Sequence, residues 1–322
     1  MPNVVTVVGG GLAGTEAAWQ AANRGAKVRL YEMRPKTPTG AHTGAFLAEL
    51  VCSNSLGSNL FDRASGVLKN EMRKLGSLLI ECADVNAVPA GSALAVDRES
   101  FASLVTDRVG NHPNIEVIRA EKKSIPDGPT IIASGPLSSE AICNSLSDLL
   151  GTDHLYFYDA ISPIVYSDTI DMSVAFEASR YQKDDKTKGD YINCPMNEDQ
   201  YEGFVNALLE GDTIPLRDFE KDIESGVRAG AHRFFEGCLP IEILAERGRE
   251  ALAYGPMRPV GIISPFDDKR PYAVVQLRRD NLAGTLYNIV GFQTNLKWPD
   301  QKEVLRMIPG LGQARFARYG MM

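Results

Sequence analysis

Long apolar runs are missing from this 322-residue chain. None approaches the roughly 20 residues needed to cross a bilayer. The N-terminal run Val4-Val5-Thr6-Val7-Val8 is too short for a secretory signal, lacks a basic flank and stops at glycines. Cysteine is sparse and unpaired in pattern: Cys52, Cys82, Cys143, Cys194 and Cys238 are odd in number, widely spaced and form no CxxC. This argues against a disulfide framework and a zinc site, and free thiols suit a reducing, cytoplasmic setting. With only four histidines, no metal site is expected. Excess positive charge is also missing. The net charge is −7, which disfavours indiscriminate phosphate binding but leaves room for a local basic face.

What is present begins at the N-terminus. Val4–Val8 reads as a buried parallel strand. Gly9-Gly10-Gly11-Leu12-Ala13-Gly14 follows and fits G-x-G-x-x-G. Thr15–Arg24 reads as a helix ended by Gly25, and Lys27–Tyr31 as a second strand ending in Glu32. Each part has a task in binding a dinucleotide. Gly9 makes the tight turn, Gly11 admits a pyrophosphate close to the backbone, and Gly14 lets helix and strand approach. The helix N-terminus offers N–H groups to phosphate. Glu32 lies about 20 residues on, where an acid accepts ribose hydroxyls and would repel a 2′-phosphate. A Rossmann-like α/β domain follows from this assembly. FAD and NAD both use the motif, so it does not choose between them.

Further along, Phe46–Val51 reads as helical before the turn Cys52-Ser53-Asn54-Ser55. Val67–Leu79 reads as one amphipathic helix with Lys69, Glu71, Arg73 and Lys74 on its wet side. Ala93–Val96 is a strand, and Asp97 caps the helix carrying Phe101–Val109. Ile115–Ile118 and Thr130–Ala133 are strands, the latter running into Ser134-Gly135. Ser139–Leu150 is a helix. After Tyr158 short strands (Ile164–Tyr166, Ser173–Glu177, Ala273–Leu277, Leu286–Phe292) mix with helices, which predicts an α+β part with a mostly antiparallel sheet. Gln182–Asp190 reads as an exposed loop. The expected division is 1–160 as dinucleotide-binding domain, 161–300 as α+β insertion domain and 301–322 as a tail leading back toward the first.

A thiolate is the natural nucleophile for conjugate addition to a pyrimidine. Cys238 lies between Gly237 and Pro240, with Glu236 and Glu242 near enough in sequence to handle protons. From spacing alone a buried structural cysteine beside Phe234 and Phe235 accounts for it better. Cys52 sits in a polar turn that can reach toward a flavin ring, and an ordinary helix cap explains it equally well. Cys194 is a weaker candidate; Cys82 and Cys143 read as core. Two basic-aromatic clusters, Arg247, Arg249 and Arg258 around Tyr254, and Lys269, Arg270, Arg278 and Arg279 around Tyr272, have the side chains that clamp phosphates and stack on bases. A solvated face explains each cluster as well.

Taken in order, Val7–Ala18, Tyr31-Glu32-Met33-Arg34-Pro35, Ala48–Leu56, Val88–Gly91, Ala93–Glu99, Phe157–Ala160, Asp190–Met196, Phe235–Glu242, Gly255–Gly261, Pro271–Arg278 and Val290–Thr294 resemble the folate- and FAD-dependent methylenetetrahydrofolate–tRNA-(uracil-5-)-methyltransferase family over nearly the whole chain. The resemblance implies a glutathione-reductase-type FAD domain with an α+β insertion, and FAD held by Gly9, Gly10, Gly11, Leu12, Ala13, Gly14, Glu32 and Arg34. It implies methylenetetrahydrofolate and NAD(P)H as co-substrates, and methylation at C5 of a T-loop uridine in tRNA. It places the family's nucleophile motif on Cys238 and its flavin-side cysteine on Cys52. Against that family, Glu224–His232 reads as an insertion. Family members continue past residue 322 into a segment that returns to the first domain, so the chain reads as a truncated or naturally short form. A generic FAD oxidoreductase and an inactive remnant that binds nucleotide or RNA are the alternatives.

Overall fold

The structure, a computed structural model, describes residues 4–135, 137–151, 162–180, 189–214 and 239–320. By its internal contacts the chain divides into two compact units, residues 1–87 with 92–157, and residues 88–91 with 158–322.

In the first unit the β-branched run forms β1 (Val4–Val8), whose Val7 and Val8 are buried. It pairs in parallel with β2 (Lys27–Glu32) and with β7 (Thr130–Ile132), and β6 (Ile115–Arg119) adds in parallel outside β2. The sheet order is therefore β6-β2-β1-β7. Helix α1 (Leu12–Asn23) connects the first two strands and buries Gly14, Thr15, Ala18 and Ala22. Gly25, at φ +87°, turns the chain out of it. Helix α4 (Arg98–Gly110) starts where the Asp97 carboxylate accepts the Ser100 N–H at 2.9 Å, and it buries Phe101, Val105 and Val109. Helix α5 (Glu140–Leu150) follows β7. A small sheet of order β3-β5-β4 is made from β3 (Ser55–Ser58), β5 (Ala93–Val96) and β4 (Ala87–Val88). This is a Rossmann-like parallel α/β arrangement.

Three expectations fail in this unit. Phe46–Val51 is not helical. Its Leu47 N–H donates to the Thr106 hydroxyl at 2.8 Å and its Ala48 N–H to the Gly10 carbonyl at 2.9 Å, and Ala48 sits at φ +52°. Tertiary hydrogen bonds replace the helical ones. Val67–Leu79 is two helices, α2 (Ala64–Lys74) and α3 (Leu78–Val85), separated at Gly76, φ +70°. Of the wet side, Glu71 and Lys74 are exposed as expected and Arg73 partly so, but Lys69 points inward and is buried, whereas Val67 and Leu68 are exposed. The Lys69 Nζ donates to the Ser58 carbonyl at 2.9 Å and to the Ser65 hydroxyl at 2.7 Å. Cys143 on α5 is half-buried rather than core.

The second unit is built on a six-stranded antiparallel sheet of order β13-β8-β12-β11-β10-β9. Its strands are β8 (Ile164–Tyr166), β9 (Phe176–Ala178), β10 (Tyr191–Met196), β11 (Ala273–Arg279), β12 (Leu286–Ile289) and β13 (Phe316–Arg318). One face of β10 and β11 supplies Ile192, Cys194, Val275 and Leu277 to the core. Against them pack Tyr201, Phe204 and Leu208 of α6 (Glu198–Glu210), together with α7 (Ile241–Ala245), α8 (Ala251–Tyr254) and α9 (Trp298–Arg306). Asn193 and Gln276, paired across the two strands on the other face, are joined by a Gln276 Nε2 to Asn193 Oδ1 hydrogen bond of 2.9 Å.

The expected strand at Ser173–Glu177 is shorter and later, because the Asp171 carboxylate accepts the Ser173 N–H at 2.9 Å and holds a turn there. The expected tail at 301–322 is also corrected. Residues up to Arg318 fold into this unit, since Val304, Leu305, Ile308 and Leu311 enter its core and β13 joins its sheet. None of the described helices is long and apolar enough to cross a membrane.

Candidate functional site

The glycine loop leaves β1 with the Gly9 N–H donating to the Tyr31 carbonyl at 2.8 Å. Gly9 has φ +104°, and a Cβ there would fall on the backbone of Ala133 and Ser134. A Cβ on Gly14 would fall on the Gly9 carbonyl oxygen, so α1 packs against the loop at backbone distance. Gly11 differs: a Cβ there would meet nothing within 4 Å. Gly11 is also the N-cap of α1, makes no side-chain capping bond, and is followed by a first turn without acids. Leu12 and Ala13 open that turn. Its N–H groups and the helix dipole therefore suit an anion placed over Gly11.

Glu32, at the end of β2, is buried. One carboxylate oxygen accepts the Gly10 N–H at 3.0 Å, and the other accepts the Arg34 N–H at 2.9 Å and its Nε at 3.1 Å. Arg34 is buried as well. Its terminal nitrogens donate to the Glu49 carboxylate at 2.8 Å and to the Phe46 carbonyl at 3.1 Å. Arg34 therefore ties the end of β2 to the 43–49 loop. Burial pushes the Glu49 carboxyl up, but hydrogen bonds from Thr43 and Gly44 outweigh it and leave it below the ordinary carboxylate range.

Gly9, Gly10, Gly11, Glu32 and Arg34 line one cleft, together with Tyr31, Thr39, His42, Lys122, Ser134 and Ser138. Gly14 lies behind it. The cleft combines an open glycine cradle, an uncapped helix start and a carboxylate, which is the donor and acceptor set of a dinucleotide site. Sequence reasoning reached Ser134 through the strand that ends in Ser134-Gly135. It missed Lys122, whose ammonium lies 5.1 Å from the Tyr31 ring centroid, because nothing local marks a lysine that arrives from the irregular segment after β6.

Cys52 is half-buried. The turn carrying it is held by Arg98, which donates to the Leu50 carbonyl at 2.7 Å and the Cys52 carbonyl at 3.1 Å. Buried Asn54 fixes the far side, its amide donating to the Val96 carbonyl at 3.0 Å. Arg98 and Asn54 are positioning residues that spacing alone did not reveal. Cys238, Glu236 and the Glu224–His232 insertion lie outside the described residues. The segment following Cys238 is described. The Ile241 N–H donates to the Gln293 carbonyl at 2.8 Å, and Glu242 accepts the Asn295 N–H at 2.6 Å and the Thr294 hydroxyl at 2.9 Å. Burial raises the Glu242 carboxyl above its ordinary range.

The weaker cysteine candidate is removed. Cys194 is fully buried on β10 and its thiol is pushed up to about 12 by burial, which leaves no thiolate at neutral pH. The basic clusters are partly dismantled. Arg278 is buried in the sheet and Arg249 pairs with Glu202.

A family profile described as Glucose inhibited division protein A matches residues 4–322. The chain is 57% identical over 322 residues to the methylenetetrahydrofolate–tRNA-(uracil-5-)-methyltransferase TrmFO of Bacillus pumilus, covering 100% of this chain and 71% of that protein. It is 57% identical over 318 residues to the enzyme of the same name from Bacillus subtilis, covering 99% of this chain and 70% of the relative. Among solved structures, GidA of Aquifex aeolicus superposes with a TM-score of 0.67 at 16% identity, covering 98% of this chain and 56% of GidA, a likeness of fold. The chain belongs to the glucose inhibited division protein A family, and within it to the TrmFO group of methylenetetrahydrofolate–tRNA-(uracil-5-)-methyltransferases.

Proposed function

We propose that this protein is a cytoplasmic enzyme that methylates C5 of a uridine in the tRNA T-loop, with methylenetetrahydrofolate as carbon donor, FAD as carrier and reductant, and NAD(P)H as the source of electrons. The observation that carries this reading is 57% identity, over all 322 residues of this chain and 71% of the relative, to an enzyme named for uracil-5 methylation of tRNA. The dinucleotide geometry around Gly9–Gly14 and Glu32 supports it. When bound, FAD supplies the one-carbon and hydride chemistry that no side chain provides.

The residues of the chain do the rest. The first turn of α1 receives the pyrophosphate over Gly11, and Glu32 accepts a ribose hydroxyl while its Gly10 and Arg34 bonds keep it in place. Cys238 is assigned as nucleophile: its thiolate bonds to C6 of the uracil, and the C5–C6 π pair moves onto C5 and O4, making C5 the attacking carbon. Its loss in the second half restores the C5–C6 double bond after the C5 proton leaves. Cys52, in the turn clamped by Arg98 and Asn54, is assigned to the flavin side. The target base must leave its stack to be reached.

The test is the visible spectrum of the purified chain, followed by methyl transfer to tRNA with and without Cys238→Ala. A stoichiometric flavin spectrum, and transfer that Cys238→Ala abolishes, are expected. A colourless protein that takes up no added FAD overturns the reading.

A further inference from the structure

An exposed tryptophan is unusual enough to need a reason, and Trp298 is 59% exposed. It opens α9, with Lys302 and Arg306 following at i+4 and i+8, so the three share one helix face about 12 Å long. The adjoining flank, with Gln301, Val304 and Leu305, is buried. Tyr319 forms the other wall of the groove over this face, its ring stacked on Phe316 with centroids 5.1 Å apart. The walls are fixed to each other through buried Gln301, whose Nε2 donates to the Leu296 carbonyl at 2.6 Å and to the Gly320 carbonyl at 2.8 Å. Arg306 donates to the Ala314 carbonyl at 3.3 Å, and its Nε, also buried, has no hydrogen-bond partner among the described residues. Glu303 is the one acid lining the groove.

Two aromatic rings on rigid walls with two cations between them form a stacking platform with backbone-phosphate contacts, the chemistry of unpaired RNA. We propose that the groove between α9 and Phe316–Tyr319 binds an unpaired stretch of the tRNA substrate, with Trp298 and Tyr319 stacking on bases and Lys302 and Arg306 meeting phosphates. The proposal rests on the tRNA reading above and names a surface for it. An RNA strand fits this groove better than an apolar protein face does, because its lining carries two cations, Lys302 and Arg306, against the single acid Glu303.

The experiment uses the full chain loaded with FAD and an unmodified tRNA transcript, with affinity measured by filter binding over a range of salt. Trp298→Ala weakens binding about tenfold and Trp298→Phe, which keeps a stacking ring, much less. Lys302→Ala lowers the slope of log affinity against log salt by about 0.7. In a Trp19→Phe background, where Trp298 is the remaining tryptophan, tRNA quenches its fluorescence. Flavin content and melting temperature serve as folding controls. If the wild type binds tRNA and these variants bind it equally well, the groove is not an RNA site and the functional reading stands. If Trp298→Ala instead dissociates a dimer seen by sedimentation, with tRNA affinity unchanged, the groove belongs to a second copy and the proposal falls. If the wild type binds no tRNA, the functional reading falls first and takes the groove with it.

Discussion

Helices α1 and α2 lie in the same unit and are held by opposite devices. Helix α1 turns Gly14, Ala18 and Ala22 inward and packs by close approach of backbone. Helix α2, apart from Gly66, turns a lysine inward and leaves Val67 and Leu68 in solvent. Its anchor is the Lys69 ammonium, which reaches Ser58 and Ser65. Arg34 and Arg98 hold the 43–49 loop and the Cys52 turn in the same polar manner. Close approach tolerates no added atom, whereas a polar clamp fails only when its hydrogen-bonding atoms go. Near the site, the parts that must meet a ligand closely use the first device, and the irregular segments around them use the second.

The comparison breaks most sharply at Gly14. Gly14→Ala should cost on the order of 4 kcal/mol or more, because its Cβ would fall on a carbonyl oxygen that cannot move without the loop. Gly11→Ala should leave the melting temperature nearly unchanged and yet lower flavin uptake, since its Cβ enters open space over the helix start. Equal melting temperatures for the two variants would show that α1 has room to retreat.

Arg34→Ala should cost about 3 kcal/mol in denaturant unfolding, since it leaves buried Glu32 without its cation. Lys69→Ala follows at about 2 kcal/mol, the worth of its charged hydrogen bonds. The neighbouring Leu68→Ala should stay within about 0.5 kcal/mol because Leu68 is exposed. If Leu68→Ala proved the costlier of that pair, the inverted orientation of α2 would be wrong.

The smallest effect is a difference in pH slope. Glu242 is raised in the fold by burial, so its contribution to stability is complete below the ordinary carboxylate value of 4.5 and is lost as pH rises through its folded value. Glu49 is lowered: its contribution is present above 4.5 and is lost as pH falls through its folded value. Melting curves between acidic and neutral pH should show Glu242→Gln steepening the rise of stability with pH and Glu49→Gln flattening it. Changes in slope of the same sign, relative to the unsubstituted protein, would contradict the surroundings assigned to the two carboxylates.

The same two devices explain which parts were legible in the sequence. From Val4 to Glu32, turn chemistry, periodicity and the spacing of the acid all depend on local backbone geometry, and the structure follows them strand by strand. Asp97 was legible for the same reason: an N-cap is set by its own next three residues. At Phe46–Val51 the local signals pointed to helix, but the partners that decide the outcome, Thr106 and Gly10, come from distant segments. Over Val67–Leu79 the helical reading holds apart from the break at Gly76, and what it missed is Lys69 reaching distant Ser58. The cleft was read through its glycines and Glu32. Arg98 and Asn54 were not assigned as holders of the Cys52 turn, because a side chain that clamps a distant carbonyl has no spacing to betray it. Arg34, expected at the cofactor, lines the cleft and is held there by Glu32, Glu49 and the loop backbone, partners that its spacing did not reveal.

Burial of Cys82 and Cys194 gives the chain a built-in labelling code. Their thiols are pushed up to about 11 and about 12, so at neutral pH an alkylating reagent meets almost no thiolate at either position. The chain has five cysteines, and among the described ones this leaves Cys52 and Cys143, both half-buried, for modification in the native state. A mass-spectrometric count of alkyl groups on folded protein therefore has a ceiling of three. Protection of the Cys238 peptide by a bound uracil compound is then read against Cys143, which has no assigned part in the site, as internal standard in the same spectrum.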